Sequence, residues 1–122
     1  MIYIAAPYSD NDRNIVEQRF LALEKVVASM LISELPVFAP IIHCHEIMKQ
    51  YNLPDAFDFW KKYCITLLQK SDVLYVLMLP GWDVSQGVQE EIAEAKRLGI
   101  LIRYGDVEDW ADVPKRNKKR VQ

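Results

Sequence analysis

The sequence predicts a single-domain parallel β-sheet with helices on both faces, and three observations point to it. Short apolar runs alternate along the chain with longer stretches in which apolar residues recur every three or four positions. The most apolar run, Val73-Leu74-Tyr75-Val76-Leu77-Met78-Leu79, is rich in β-branched residues and reads as a strand covered on both sides. At 122 residues and 51% hydrophobic content, the chain is long enough to bury a core but too short for two ordinary domains.

Residues 2–6 form a short apolar run cut off by Pro7, which predicts a central strand. Ser9, Asp10, Asn11 and Asp12 offer N-caps, and Val16, Phe20, Leu23, Val27, Met30 and Leu31 keep helical spacing, so residues 11–34 should be a helix. A strand is expected over 35–38, then an irregular segment over 39–54 that holds both histidines. Phe57, Trp60, Cys64, Leu67 and Leu68 predict a helix over 55–70, followed by the core strand over 73–79. After the loop 82–87 a further helix should run to Leu98, with Gly99 as its cap, a strand over 100–102 and a last helical turn within 107–113. This alternation gives a doubly wound three-layer sandwich of the flavodoxin-like or Rossmann-like kind. Ligands of such sheets sit beyond the carboxyl ends of the strands, so the segments after residues 6, 38 and 79 should line one crevice.

Fifteen basic against seventeen acidic residues give a net charge of −2, which argues against a protein that coats nucleic acid. Lys115, Arg116, Lys118, Lys119 and Arg120 concentrate five positive charges at the end of the chain, so the rest carries −7. Residues 1–106 are read as the domain and 107–122 as an extension with a basic tail. Cys44 and Cys64 lack CxxC spacing and predict a reduced, cytoplasmic setting. No signal peptide or run of about 20 apolar residues is visible, so no membrane association is expected.

The helix after residue 85 carries the most pointed chemistry. Val88, Ile92 and Ala95 mark its buried stripe, and Glu91 falls on that stripe while Glu90 and Glu94 face outward. A carboxylate facing a dry crevice needs a partner or a task, and it is a better nucleophile or base there. Asp72 and Asp83 bracket the core strand, Asp72 also reading as an ordinary turn residue and Asp83 as a partner for Glu91 across the crevice mouth. Ser85 and Gly87 before the helix suit a phosphate oxygen, and Ser85 suits a plain N-cap equally. His43 and His45 could reach one metal only from an irregular loop, and no further ligands follow at zinc spacing, so a substrate-contacting or structural role is preferred. Trp82, Tyr51 and Trp60 could wall a flat ligand, although Trp60, at helical spacing, reads more readily as core.

Three segments carry a resemblance: the opening strand Tyr3-Ile4-Ala5-Ala6-Pro7, the stretch Ser71-Asp72-Val73, and Gly87-Val88-Gln89-Glu90-Glu91-Ile92-Ala93-Glu94-Ala95. Over residues 2–104 the chain resembles the nucleoside 2-deoxyribosyltransferase family, including its 2'-deoxynucleoside 5'-phosphate N-hydrolases and an uncharacterised phage and bacterial subgroup. The resemblance implies Glu91 as nucleophile, Asp72 as the carboxylate near the sugar and Tyr3 as the first-strand tyrosine of the active site. It also implies Ser85 as a 5'-phosphate contact and Asp83 as a base contact. Pro7, Tyr8, Gly87, His43, His45 and Trp82 are expected around the substrate as well, with residues 43–46 closing over it. The chain departs from the family at Ala93, where a glycine is usual. It departs again at Ala5-Ala6-Pro7-Tyr8-Ser9, where phosphate-specific members carry a serine and an arginine. Arg13, Arg19 or a neighbouring subunit would then have to neutralise a phosphate.

The expected activity is cleavage or transfer at the N-glycosidic bond of a 2'-deoxynucleoside or its 5'-monophosphate through a Glu91 glycosyl-enzyme intermediate. Asp72 or Asp83 would protonate the base or orient the sugar, Tyr3 would hold Glu91, and no metal or organic cofactor is expected. A homo-oligomer, dimer or higher, is expected because so short a chain supplies few cations to its own crevice. The rivals are a non-catalytic nucleotide-binding or sensing module on the same fold and, more remotely, a metal-dependent hydrolase using His43 and His45.

Overall fold

A computed structural model describes residues 1–115 of the chain. Four strands form one parallel sheet: β1 (Ile2–Ala5), β2 (Val37–Phe38), β3 (Val73–Leu77) and β4 (Leu101–Gly105). Their order in space is β2-β1-β3-β4, and β1, the first strand in the chain, is central as expected. Four helices connect them: α1 (Arg13–Ile32), α2 (Pro40–Tyr51), α3 (Phe57–Gln69) and α4 (Gln86–Leu98).

Alternation along the strands builds a core on each face of the sheet. Tyr3 and Ala5 of β1, with Leu74 and Val76 of β3, pack against Cys64 and Leu68 of α3 and Val88, Ile92 and Ala95 of α4. Ile4 and Leu77 point the other way and pack against Leu23, Val26 and Met30 of α1, with Ile41 and Ile42 of α2 at the margin. The result is the expected three-layer α/β sandwich. After β2 the chain returns across β1 to lay down β3 on its far side, so the sheet reverses direction between β1 and β3.

The helix ends follow their capping chemistry. Asp12 accepts from the Asn14 amide at 2.9 Å to start α1, Ser85 accepts from the Val88 amide at 3.3 Å to start α4, and Gly99 closes α4 with φ of 73°. One expectation is overturned: residues 39–54 are not an irregular loop, because α2 occupies most of them. Pro40 sits at the first turn, where its missing N–H costs nothing, Ala39 before it is extended, and Asn52 ends the helix in the left-handed region. Pro40, Cys44 and Met48 form a buried i, i+4, i+8 stripe, which is the helical signal. The turn after β4 is also shorter than expected, a single 3-10 turn over Val107–Asp109. The basic residues Arg116, Lys118, Lys119 and Arg120 lie outside the described residues.

Candidate functional site

At the carboxyl ends of β1 and β3 the structure holds a cleft of about 460 Å³. Its rims are the loop after β1, residues 6–10, and the segment from Gly81 into α4. Residues of α2 and the start of α3 close the side, with Met48, Phe57 and Trp60 among them. The position agrees with the rule that a parallel sheet binds ligands where its strand order reverses.

Glu91 lies at the cleft floor, on the second turn of α4 and only 6% exposed. The Tyr3 hydroxyl, wholly buried on β1, donates a hydrogen bond to Glu91 Oε2. Burial pushes the Glu91 carboxyl up to about 8; the Tyr3 hydrogen bond works against that shift, and the charge of Glu90 adds to it. Burial, and then the charge of Glu91, also drive the Tyr3 phenol far above its usual range, so it stays a donor. Cys64 adjoins the pair, its thiol pushed up to about 12 by burial first and then by Glu91. Outward, Glu90 pairs with Lys61 at 2.8 Å and Glu94 pairs with Arg97, so the three glutamates of this helix divide as their spacing predicts.

The loop after β1 brings Pro7 and Tyr8 into the cleft wall. The Tyr8 hydroxyl meets His45 Nδ1 at 2.6 Å, and His45 Nε2 meets Glu17 Oε1 at 3.0 Å. His45 is 1% exposed and its ring stacks on Phe20 with centroids 3.8 Å apart. Partial burial tends to raise Glu17, but Lys49 and His45 outweigh it and hold the carboxyl below its ordinary value. A second cavity of about 360 Å³ is lined by Glu17 and His45, and Tyr8, Met48 and Asp55 line both spaces.

Arg19 of α1 was expected only as a possible phosphate counter-charge, and it has a larger place. Its guanidinium lines the cleft and donates to the carbonyls of Tyr8 at 3.3 Å, Ser9 at 2.8 Å and Pro80 at 3.3 Å, joining the two rims. Gly81 adopts φ of +95°, and a Cβ there would lie 2.8 Å from Arg19 Nη2. Asp10 and Asp55 also line the cleft; Asp10 is expected from the sequence only as an N-cap, and Asp55 in no site role. Asp55 sits between α2 and α3, where only the unrecognised helix could have brought it to the wall.

The remaining expected residues divide. Ser85 and Gly87 line the cleft beside Glu91. Asp72 does not: it precedes β3, at the opposite edge of the sheet, and is exposed and bonded to the Met1 ammonium at 2.7 Å. That ammonium holds the Asp72 carboxyl below its usual range by hydrogen bond and charge. Asp83, in the 3-10 turn Trp82–Val84, is exposed and outside the cleft lining. Trp82 turns from the cleft toward Tyr104 on β4, with ring centroids 5.8 Å apart. His43 is exposed on α2 near Phe38, whereas His45 points inward; two residues on a helix are about 200° apart, so the pair diverges. Among the described residues no group of three metal-ligating side chains comes together.

No curated protein matches this chain. The sequence profile of one family matches residues 1–104, which include both strands, the rims and the floor of the cleft, and by that match the chain belongs to the family described as a domain of unknown function (DUF1937).

Proposed function

We propose that the protein cleaves or transfers at the N-glycosidic bond of a 2'-deoxynucleoside or its 5'-monophosphate, with Glu91 as nucleophile. The observation that carries the proposal is a buried carboxylate at the floor of a ligand-sized cleft, held on one oxygen by the Tyr3 phenol. The other Glu91 oxygen attacks C1', the C1'–N bond breaks, and its electron pair leaves with the base, which takes up a proton. Water or a second base then attacks C1', gives up a proton to solvent, and releases the carboxylate. Of the carboxylates at hand, Asp10 and Asp55 line the cleft and can orient the sugar, one of the two parts first given to Asp72 or Asp83. Phe57 and Trp60 offer aromatic faces for the base. Self-association belongs to the same proposal and is supported by the exposed rings of Phe59 and Tyr63 on either side of Trp60.

Purified protein incubated with each deoxynucleoside and deoxynucleotide, with and without a second base, is expected to release or exchange the base, as read by chromatography. Glu91→Gln should lower the rate by at least about 10³-fold, since the step loses its nucleophile. A parent protein that acts on none of these substrates would sink the proposal. The second reading, a non-catalytic nucleotide sensor, is favoured by the distance of Asp72 from the cleft. It predicts thermal stabilisation by ligand that persists in Glu91→Gln, with no turnover by the parent.

A further inference from the structure

We infer that the cleft selects the unphosphorylated 2'-deoxynucleoside over its 5'-monophosphate, and that Asp10 and Asp55 set this preference. The inference rests on the nucleoside reading of the cleft and decides between the two substrate classes that reading allows. Four charged side chains line the cleft: the carboxyl groups of Asp10, Asp55 and Glu91, and the guanidinium of Arg19. The balance is negative whether or not Glu91 carries a proton, because the two aspartates alone outnumber the one cation.

Each feature that suggests a phosphate site already has a partner within the protein. Arg19 directs three of its five N–H donors at backbone carbonyls and is wedged against Gly81. The Ser85 hydroxyl oxygen caps α4 by accepting from the Val88 amide. Gly87 lacks a side chain for the sake of packing, since a Cβ there would lie 2.8 Å from the Phe57 ring. Amides in the first turn of α4 serve a neutral hydroxyl or carbonyl as well as an anion. A phosphate dianion entering here would lose its hydration and face two carboxylates against the single guanidinium of Arg19. Arg13 does not redress this: it stands 3.8 Å from Asp55, is 79% exposed, and lines the second cavity rather than the cleft. Asp10 accepts from the Asp12 amide at 2.8 Å, a bond that an asparagine oxygen can also make, so its charge can be removed without breaking the loop.

The test measures binding to Glu91→Gln by equilibrium dialysis, using the four 2'-deoxynucleosides and their 5'-monophosphates at low ionic strength. At least one nucleoside is expected to bind about tenfold or more tightly than its monophosphate. Asp10→Asn with Asp55→Asn in the same background should shrink that ratio to under about threefold, chiefly by improving monophosphate binding. Added salt should shrink it in the Asp-containing protein and leave the Asn-containing one nearly unchanged. On the parent protein the ratio of kcat/KM for the two substrate classes gives the same preference without any substitution. Equal or tighter binding of the monophosphate, a ratio unmoved by the two Asn substitutions, or binding of neither class overturns the inference. Rapid turnover of the monophosphate would overturn it while leaving the glycosidic reading intact. A nucleoside preference without turnover would do the reverse.

Discussion

The burial that would make Glu91 reactive in the proposed chemistry also carries a cost to folding. Its ordinary value is 4.5 and its folded value about 8, so between those pH values the folded chain holds a proton that the unfolded chain has lost. Stability on this account falls as pH rises from about 4.5 to about 8 and is level above that. Thermal midpoints measured from pH 5 to 9 should therefore decline in the parent and decline less in Glu91→Gln, which should be the more stable of the two at pH 9. A nucleophile must be ionised, so below about pH 8 the parent's kcat/KM should fall about tenfold per pH unit, the opposite direction to its stability. Single-residue placement was legible in the sequence wherever helical spacing decides it: Glu91 inward, Glu90 and Glu94 outward. It was not legible for Asp72. The similarity that singled out Asp72 is one of sequence, and parallel strands send the residue before β3 to the edge opposite the cleft.

Among the elements, the strands and three of the four helices lie within a few residues of where periodicity puts them. The exception is α2, which lies in the segment 39–54 expected to be an irregular connection holding both histidines. Proline at a first helical turn and a buried stripe at every fourth residue were the signals of the helix. That misreading also hid the cleft's side wall, since Met48 reaches it only from a helix and Asp55 only from the helix's far end. The last strand depends on a different constraint. A Cβ on Gly105 of β4 would fall 1.7 Å from the Tyr75 hydroxyl, which itself accepts from Trp110 Nε1 at 2.9 Å. Gly105→Ala should thus cost about 1–3 kcal/mol by overpacking, read as a lower urea midpoint, and Tyr75→Phe in the same background should recover part of it.

For the molecule as a whole, composition bounded the size and class correctly, and the sheet order places a ligand-sized cleft where the strand order reverses. No helix among the described residues is long and apolar enough to cross a membrane. Sedimentation velocity should find a dimer or larger species, and Phe59→Ser with Tyr63→Ser should shift it toward the monomer while leaving the fold intact by circular dichroism. Tyr8 has a consequence of another kind. Its ring, held at the hydroxyl by His45, faces both the cleft of about 460 Å³ and the neighbouring space of about 360 Å³, as Met48 and Asp55 also do. Replacing it with a smaller side chain would therefore alter two spaces at once and release the His45 ring that it anchors.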